Sequence, residues 1–300
     1  MNRRRKPYAA SPRLTKLTAK ENAILMDFLL DKMGGMSRSA VKSLLSKRQV
    51  SVNDKITTRF DTPLQINDRI TINHSHGNAG LSHPKLRILY EDSVLIVVEK
   101  QEGLLTVTAG SGRETTAFSI LKNYVKKSSP ANKIYTVHRL DRETSGVLLF
   151  SKNRDVQHVL RNNWHSIVTK RIYTALVEGK VEKESGQIVS WLTENEISLK
   201  IISSPYDNGG KQAITNYRVV KSSEKFSLLE IELETGRKNQ IRAHMESIGH
   251  PIAGDRKYGS TIEMKRLALH AHVIEFYHPV TNELVRFESP IPTELVKLLK

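Results

Sequence analysis

The side chains best placed for chemistry lie in the stretch His138-Arg139-Leu140-Asp141-Arg142-Glu143-Thr144-Ser145-Gly146. Asp141 stands between Arg139 and Arg142. Neighbouring positive charge favours the ionised carboxylate and lowers its pKa, so Asp141 reads as a ready anionic nucleophile. A β-like run, residues 133–137, precedes the stretch, and a second, Val147-Leu-Leu-Phe150, follows it. A charged, glycine-ended turn between two apolar strands exposes its side chains on a rigid scaffold, where sites are usually built. An Asp beside Arg can equally cap a turn or serve a structural ion pair, so the reading needs partners from elsewhere in the chain.

Composition narrows the class of partner. The chain has 300 residues, with 47 Lys and Arg against 31 Asp and Glu, a formal charge of +16. Residues 1–73 hold 15 basic and 6 acidic side chains, so the positive density is concentrated at that end. A polyanion is the natural partner, because neutralised phosphates release counterions. No apolar run approaches the roughly 20 residues of a membrane span. Met1-Asn-Arg-Arg-Arg-Lys6 lacks the apolar core of a secretory signal, and a cytoplasmic location is expected. The absence of cysteine excludes disulfides, iron–sulfur clusters and Cys-based zinc sites.

Three hundred residues suggest two domains. Residues 1–20 carry seven basic residues, no acidic one and two prolines, and read as a flexible basic arm. Residues 21–73 form a compact unit. Ile24, Leu25, Phe28 and Leu29 give one helix spanning 22–32, which Gly34-Gly35 stops. Ser37 caps a second helix with Val41, Leu44 and Leu45 on one side. Arg38 and Lys42 lie one turn apart on an adjacent face, with Lys47 and Arg48 at its end. A hairpin follows around Asn53-Asp54, then a further β pair around Asn67-Asp68.

Residues 74–84 read as a linker. From Lys85 to the end, strand-like runs outnumber helices: 88–90, 94–98, 104–107, 170–179, 187–191, 197–202, 211–219 and 226–233. Their short connections predict an α+β fold, a mixed and mainly antiparallel sheet with flanking helices. Tyr173 falls in the 170–179 strand, where an aromatic ordinarily packs a sheet face. Ile241, Met245 and Ile248 suit a helix that carries Arg242 near its start. No P-loop and no dinucleotide fingerprint is present. His74, His76, His83, His138, His244, His270 and His272 lack metal-site spacing, and read as solvated, as polar packing or as RNA contacts.

The order helix, Gly-Gly, basic helix and hairpin over residues 21–73 resembles the alpha-L RNA-binding motif of a small-subunit ribosomal protein. The resemblance implies that Arg38, Lys42, Lys47 and Arg48 meet RNA phosphates. Five further pieces resemble the RluA-type pseudouridine synthases, in order over about two hundred residues. They are His138-Arg-Leu-Asp141 with Thr144-Ser-Gly146, Lys170-Arg-Ile-Tyr173, Thr235-Gly-Arg with Gln240-Ile-Arg242-x-His244, Gly249-x-Pro-x-x-Gly-Asp255, and Leu269-His-Ala271. The first is the turn already singled out, and the last resembles the segment that closes the family's pocket.

That resemblance implies isomerisation of uridine in RNA to pseudouridine, with no cofactor and no metal. It makes Asp141 the catalytic carboxylate, stacks Tyr173 on the target base and pairs Arg242 with the Asp. It packs Leu269 in the pocket and sends Arg139 into the RNA stack when the base flips out. Ribosomal RNA of the large subunit is the favoured substrate, with transfer RNA as the alternative. A non-catalytic RNA-binding or ribosome-assembly factor is the rival from another class, and a methyltransferase a further one. Nothing in the chain demands more than a monomer.

The chain departs from the family pattern twice. Asn239 stands where a His is usual, and Gln101 where Glu99-Lys-Gln101 replaces Asn-Lys-Pro. The chemistry itself asks for little: an anion near the sugar or ring, a planar cation to orient it, and an aromatic face for an extruded base. The carboxylate can attack ribose carbon 1, assist a glycal route or add to ring carbon 6, and the residues do not choose among these.

Overall fold

The computed structural model describes residues 14–34, 36–46, 49–53, 55–73, 81–108 and 114–299. The chain clusters into two compact units, Met1–Ser82 with Tyr90–Val94, and His83–Leu89 with Leu95–Lys300.

The first unit contains β1 (Leu14–Thr18), β2 (Ala23–Ile24), α1 (Leu25–Lys32), α2 (Arg38–Ser46), β3 (Val50–Val52), β4 (Lys55–Ile56), β5 (Pro63–Leu64) and β6 (Arg69–Asn73). Four strands pair in the order β1-β6-β3-β4. Leu25, Met26, Phe28 and Leu29 of α1 and Val41 and Leu45 of α2 recur at helical spacing, and meet Val50, Ile70 and Ile72 in one core. The Ser37 hydroxyl accepts the Ala40 N–H at 3.2 Å, the cap expected of it.

The flexible arm expected over residues 1–20 does not hold for Leu14 to Thr18, which form a strand antiparallel to β6; residues 1–13 lie outside the described residues. Leu17 packs against the core, which holds the segment in place. The β pair expected around Asn67 is split as well, since β5 pairs β2 while β6 pairs β1 and β3. Arg38 and Lys42 are exposed as expected; Arg38 lies 3.5 Å from Asp27, and the Lys42 ammonium 5.5 Å from the centre of the Phe60 ring. Lys47 and Arg48 lie outside the described residues.

The second unit contains β7 (Leu86–Glu91), β8 (Leu95–Lys100), α3 (Ala117–Lys126), β9 (Tyr135–Thr136), β10 (Ser145–Ser151), α4 (Arg154–Asn162), α5 (Trp164–Ile167), β11 (Val168–Glu178), β12 (Ser185–Glu194) and β13 (Ile201–Ser204). It continues with β14 (Lys211–Ser222), β15 (Phe226–Leu233), α6 (Gln240–Ser247), a 3-10 turn at Arg256–Tyr258, β16 (Leu269–Tyr277), β17 (Leu284–Glu288) and α7 (Thr293–Lys297). The sheet runs β13-β12-β14-β15-β11-β16-β10-β8-β7, with β17 on β16 and β9 on β10. β10 runs parallel to β16, while β8, β11, β12, β14 and β15 all pair antiparallel with their neighbours. This is the mixed, mainly antiparallel α+β fold that the short connections imply. β8 and β10 are buried along their whole length, which is why each carries a continuous apolar run, residues 95–98 and 147–150.

Two expected strands are absent or cut short. Residues 104–107 form no strand because their carbonyls serve other partners: Leu104 accepts Lys100 Nζ, and Leu105 and Thr106 accept the first N–H groups of α3. The 197–202 strand starts only at Ile201, because the Asn195 carboxamide oxygen accepts the N–H of Ile197 and of Ser198 and winds the chain into a turn.

Candidate active site

Strand register assembles the site. β10 starts directly after the Asp141 turn, with Ser145 opposite His270 and Gly146 opposite Ala271 on β16. β11 lies on the other side of β16, with Tyr173 opposite Ala271 and Ala175 opposite Leu269. Two separate stretches, at 145–146 and 173–175, thus share one short segment of β16 from much later in the sequence. Gly146 makes the approach possible: its φ is +119°, and a Cβ there would lie 2.1 Å from the Ala271 carbonyl oxygen.

α6 closes the other side. A cavity of about 330 Å³ is lined by Arg139, Asp141, Tyr173, Arg242 and Leu269, together with Trp164, His165, Arg171 and residues 236–241. All five residues assigned to the base pocket by resemblance therefore face one space. Arg38 and Lys42 belong to the other unit. Among the described residues, no three His, Cys, Asp or Glu side chains gather in a way that could hold a metal.

The Asp141 carboxylate makes no hydrogen bond or ion pair with a described residue, while its backbone carbonyl accepts the Thr144 N–H at 3.2 Å. Burial pushes its carboxyl up from the ordinary value, against the pull of Arg242, Arg139, Lys100 and Lys238. This reverses the lowered pKa expected from flanking arginines. Arg142 explains part of the difference, because it turns outward to Glu114 at 2.6 Å. Asp141 itself remains half-buried, so solvent reaches the carboxylate through the cavity mouth. Burial also pushes the Tyr173 phenol to about 12, so it stays protonated.

Arg242 does not pair with Asp141. Its Nε and Nη2 both bond Asp255 at 2.6 Å in a two-point fork. Its guanidinium lies 4.6 Å from the centre of the Tyr258 ring. Asp255 fixes the orientation expected of the catalytic Asp, and Asp141 receives the arginine's charge at longer range. Asn239 supports this arrangement: it occupies the left-handed region that Asn tolerates, φ 49°, and its Nδ2 donates to the Tyr258 hydroxyl at 3.1 Å.

Lys100 lies beneath the turn. It has no exposed surface, and its Nζ donates to the carbonyls of Leu104 at 2.8 Å, and of Gln101 and Arg142 at 3.1 Å. Burial lowers its pKa to about 8. Gln101, the departure from Pro, uses the N–H that Pro would lack and donates to the Lys85 carbonyl at 2.9 Å. On the far side of the turn, the Ser145 hydroxyl joins His270 Nδ1 at 2.8 Å and accepts from Arg266 Nη2 at 2.5 Å.

His138, His244 and His272 serve as structural polar groups. His138 Nε2 accepts the Leu149 N–H at 3.0 Å, and burial drops its pKa to about 3. His244 bridges Ser190 and Thr215 at 2.8 Å each, and burial lowers it to about 4. His272 Nδ1 lies 2.7 Å from the Ser289 carbonyl.

The reading of the sequence did not assign Asp255, Lys100 or Trp164 to the site. One signal existed for Lys100, a lone cation ending the apolar run Leu95-Ile-Val-Val98. Trp164 stacks under Arg171, its ring centre 5.8 Å from the guanidinium, and stands 5.2 Å from the His138 ring.

A sheet that brings an aspartate turn to its one parallel crossing, with a tyrosine strand alongside, has the architecture of the pseudouridine synthases. The human RNA pseudouridylate synthase domain containing 4 shares the fold, with a TM-score of 0.58 at 22% identity over 70% of this chain and 90% of that one. Residues 94–247 match the family described as RNA pseudouridylate synthase. An uncharacterized RNA pseudouridine synthase of Bacillus subtilis, YhcT, is 32% identical over 271 residues, 88% of each chain. The ribosomal large subunit pseudouridine synthase D of Neisseria meningitidis serogroup A is 33% identical over 302 residues, 93% of this chain and 77% of the relative. The chain belongs to the RNA pseudouridine synthases, in the RluA-type group.

Proposed function

We propose that this synthase isomerises specific uridines in structured RNA, with large-subunit ribosomal RNA as its substrate, and that Asp141 supplies the attacking carboxylate. The observation that carries the reading is the unpaired Asp141 carboxylate in a cavity that also holds Tyr173 and Arg242. The relative named as a large-subunit ribosomal synthase supports the choice of RNA. The target base leaves its helix, at a cost of a few kcal/mol, and stacks on the Tyr173 ring. Arg139, exposed at the cavity mouth, fills the vacated stack and offsets part of that cost. Leu269 packs against the base, and Arg242, held by Asp255, stabilises the anion on Asp141 and the uracilate that departs. The test is a single-nucleotide map of pseudouridine in ribosomal and transfer RNA from cells with and without the protein. Loss of a ribosomal site, restored by the intact chain and not by its Asp141→Ala form, supports the reading. An unchanged map overturns it, and loss confined to transfer RNA reassigns the substrate.

The pH profile is a second check. Asp141 must be ionised to attack, and its pKa is raised, so kcat/KM falls as pH drops through a midpoint above the ordinary Asp value of about 3.9. On the alkaline side, neutral Lys100 retains two donors for three carbonyls and loses the charge facing Asp141. Activity should therefore decline as pH rises through about 8. A profile flat to pH 9.5 refutes the role of Lys100.

Residues 1–73 should contribute affinity rather than chemistry, through the alpha-L resemblance and the exposed Arg38 and Lys42. Deleting them should raise KM for ribosomal RNA and flatten its dependence on salt, each lost phosphate contact removing roughly 0.7–0.9 from the slope of log KM against log salt. An unchanged slope refutes that role.

A further inference from the structure

A second cavity, of about 420 Å³, adjoins the first and shares Arg237 and Lys238 with it. The ends of β12, β13 and β14 form its other walls. Leu192 and Ile201, both nearly buried, supply an apolar floor, and Lys211 adds a third cation to the rim. Such a space, with two apolar side chains at its base and charged ones around them, suits a nucleoside and its phosphate.

Lys238 stands between the two cavities. Its charge acts on Asp141 from one side, and on the other its Nζ bonds the Glu194 carboxylate. Both partners of that ion pair are well exposed, so the pair is weak and open to exchange. Arg237 is steadied by the bond from its Nε to the Gln212 carbonyl, 3.0 Å, which leaves its outer nitrogens for a ligand. A carboxylate in the mouth of a basic cavity offers two oxygens to Lys238, as a phosphodiester does.

We propose that this second cavity is a subsite for the nucleotide next to the target uridine, and that Glu194 holds Lys238 in place of the RNA phosphate until substrate arrives. The proposal rests on the reading that the target uridine enters the first cavity. Phosphate takes Lys238 and Arg237, sugar or base covers Leu192 and Ile201, and Lys211 meets the following phosphate. Arrival of the neighbour therefore releases the Glu194 pair as the target base reaches Asp141. Discrimination between RNA sequences would then lie partly in this cavity.

The test is tritium release from full-length large-subunit ribosomal RNA transcribed with carbon-5-labelled uridine, giving KM and kcat at several salt concentrations. Glu194→Gln removes the competing carboxylate and should lower KM about threefold. Lys211→Gln should raise KM about threefold and reduce the slope of log KM against log salt by about 0.7, the share of one single-strand phosphate. Two substitutions give the same changes of charge elsewhere. Glu196→Gln lies on the exposed β12–β13 turn, and Lys221→Gln on the exposed far end of β14, about 30 Å from Lys211 by strand rise. Both should leave KM and its salt slope as in the wild type. The subsite is overturned if Glu194→Gln and Lys211→Gln leave KM unchanged, or if the two controls shift it equally. A wild-type chain that releases no tritium from this RNA or from transfer RNA overturns the parent reading, and the subsite with it.

Discussion

Asp141→Asn should abolish turnover while leaving the protein folded and bound to RNA. Loss of a group that attacks the substrate typically costs at least about 10⁴-fold in kcat, and the amide is isosteric but not anionic. RNA affinity should stay within about threefold, since Asp141 is one acceptor among many cations and adds a charge that phosphate opposes. Stability provides an independent sign. The folded chain raises the Asp141 pKa, so the native state binds a proton that the unfolded chain has already released. Ionised Asp141 is therefore a cost to folding at pH 7, a cost that grows as pH rises through its folded pKa. The Asn variant should melt at or above the wild-type temperature at pH 7, and the difference should vanish below about pH 3.9, where both states of the wild type are protonated. Single-turnover tritium release, filter binding and thermal melts check the three parts. Retained turnover in the purified variant would remove Asp141 from the mechanism.

Much of the site was legible because it is built from local signals. The 138–146 turn is framed by two apolar strands, and the Tyr173 strand shows in its own residues. Chemistry that depends on distant walls was not legible. Flanking arginines argue for a lowered Asp141 pKa, yet Arg142 points to Glu114 and the walls from β11 and α6 remove water from the carboxylate. The choice of partner for Arg242 is similar. Two carboxylates are available to it, and only the packing of Tyr258 under the guanidinium, with Asp255 beside it, settles the fork on Asp255. Leu104 to Val107 carries the composition of a strand, and loses that form because Lys100 and the start of α3 claim its carbonyls. The strand at Leu14 was hidden by the basic residues around it, which read as a solvated arm until the edge of β6 supplies a partner.

Asp255→Asn carries the largest expected loss of stability. The Asp255 side chain is 1% exposed and Arg242 13%, so the guanidinium would be left buried without its counter-charge. Breaking a buried pair on one side costs about 3–5 kcal/mol. At about 2–4 °C per kcal/mol for a chain of this size class, the melting temperature should fall by about 10 °C. Turnover should fall as well, because a guanidinium freed from Asp255 can swing onto Asp141 and occupy the carboxylate that must attack. The two effects separate in the double variant Arg242→Met with Asp255→Leu. Well-packed apolar groups replace a buried ion pair at little cost in stability, so the double variant should recover most of the lost melting temperature. It should remain inactive, because no cation then faces Asp141 and the departing uracilate from α6. A double variant that regained turnover along with stability would reduce Arg242 to a structural residue and leave Arg139, Lys100 and Lys238 as the charges that serve Asp141.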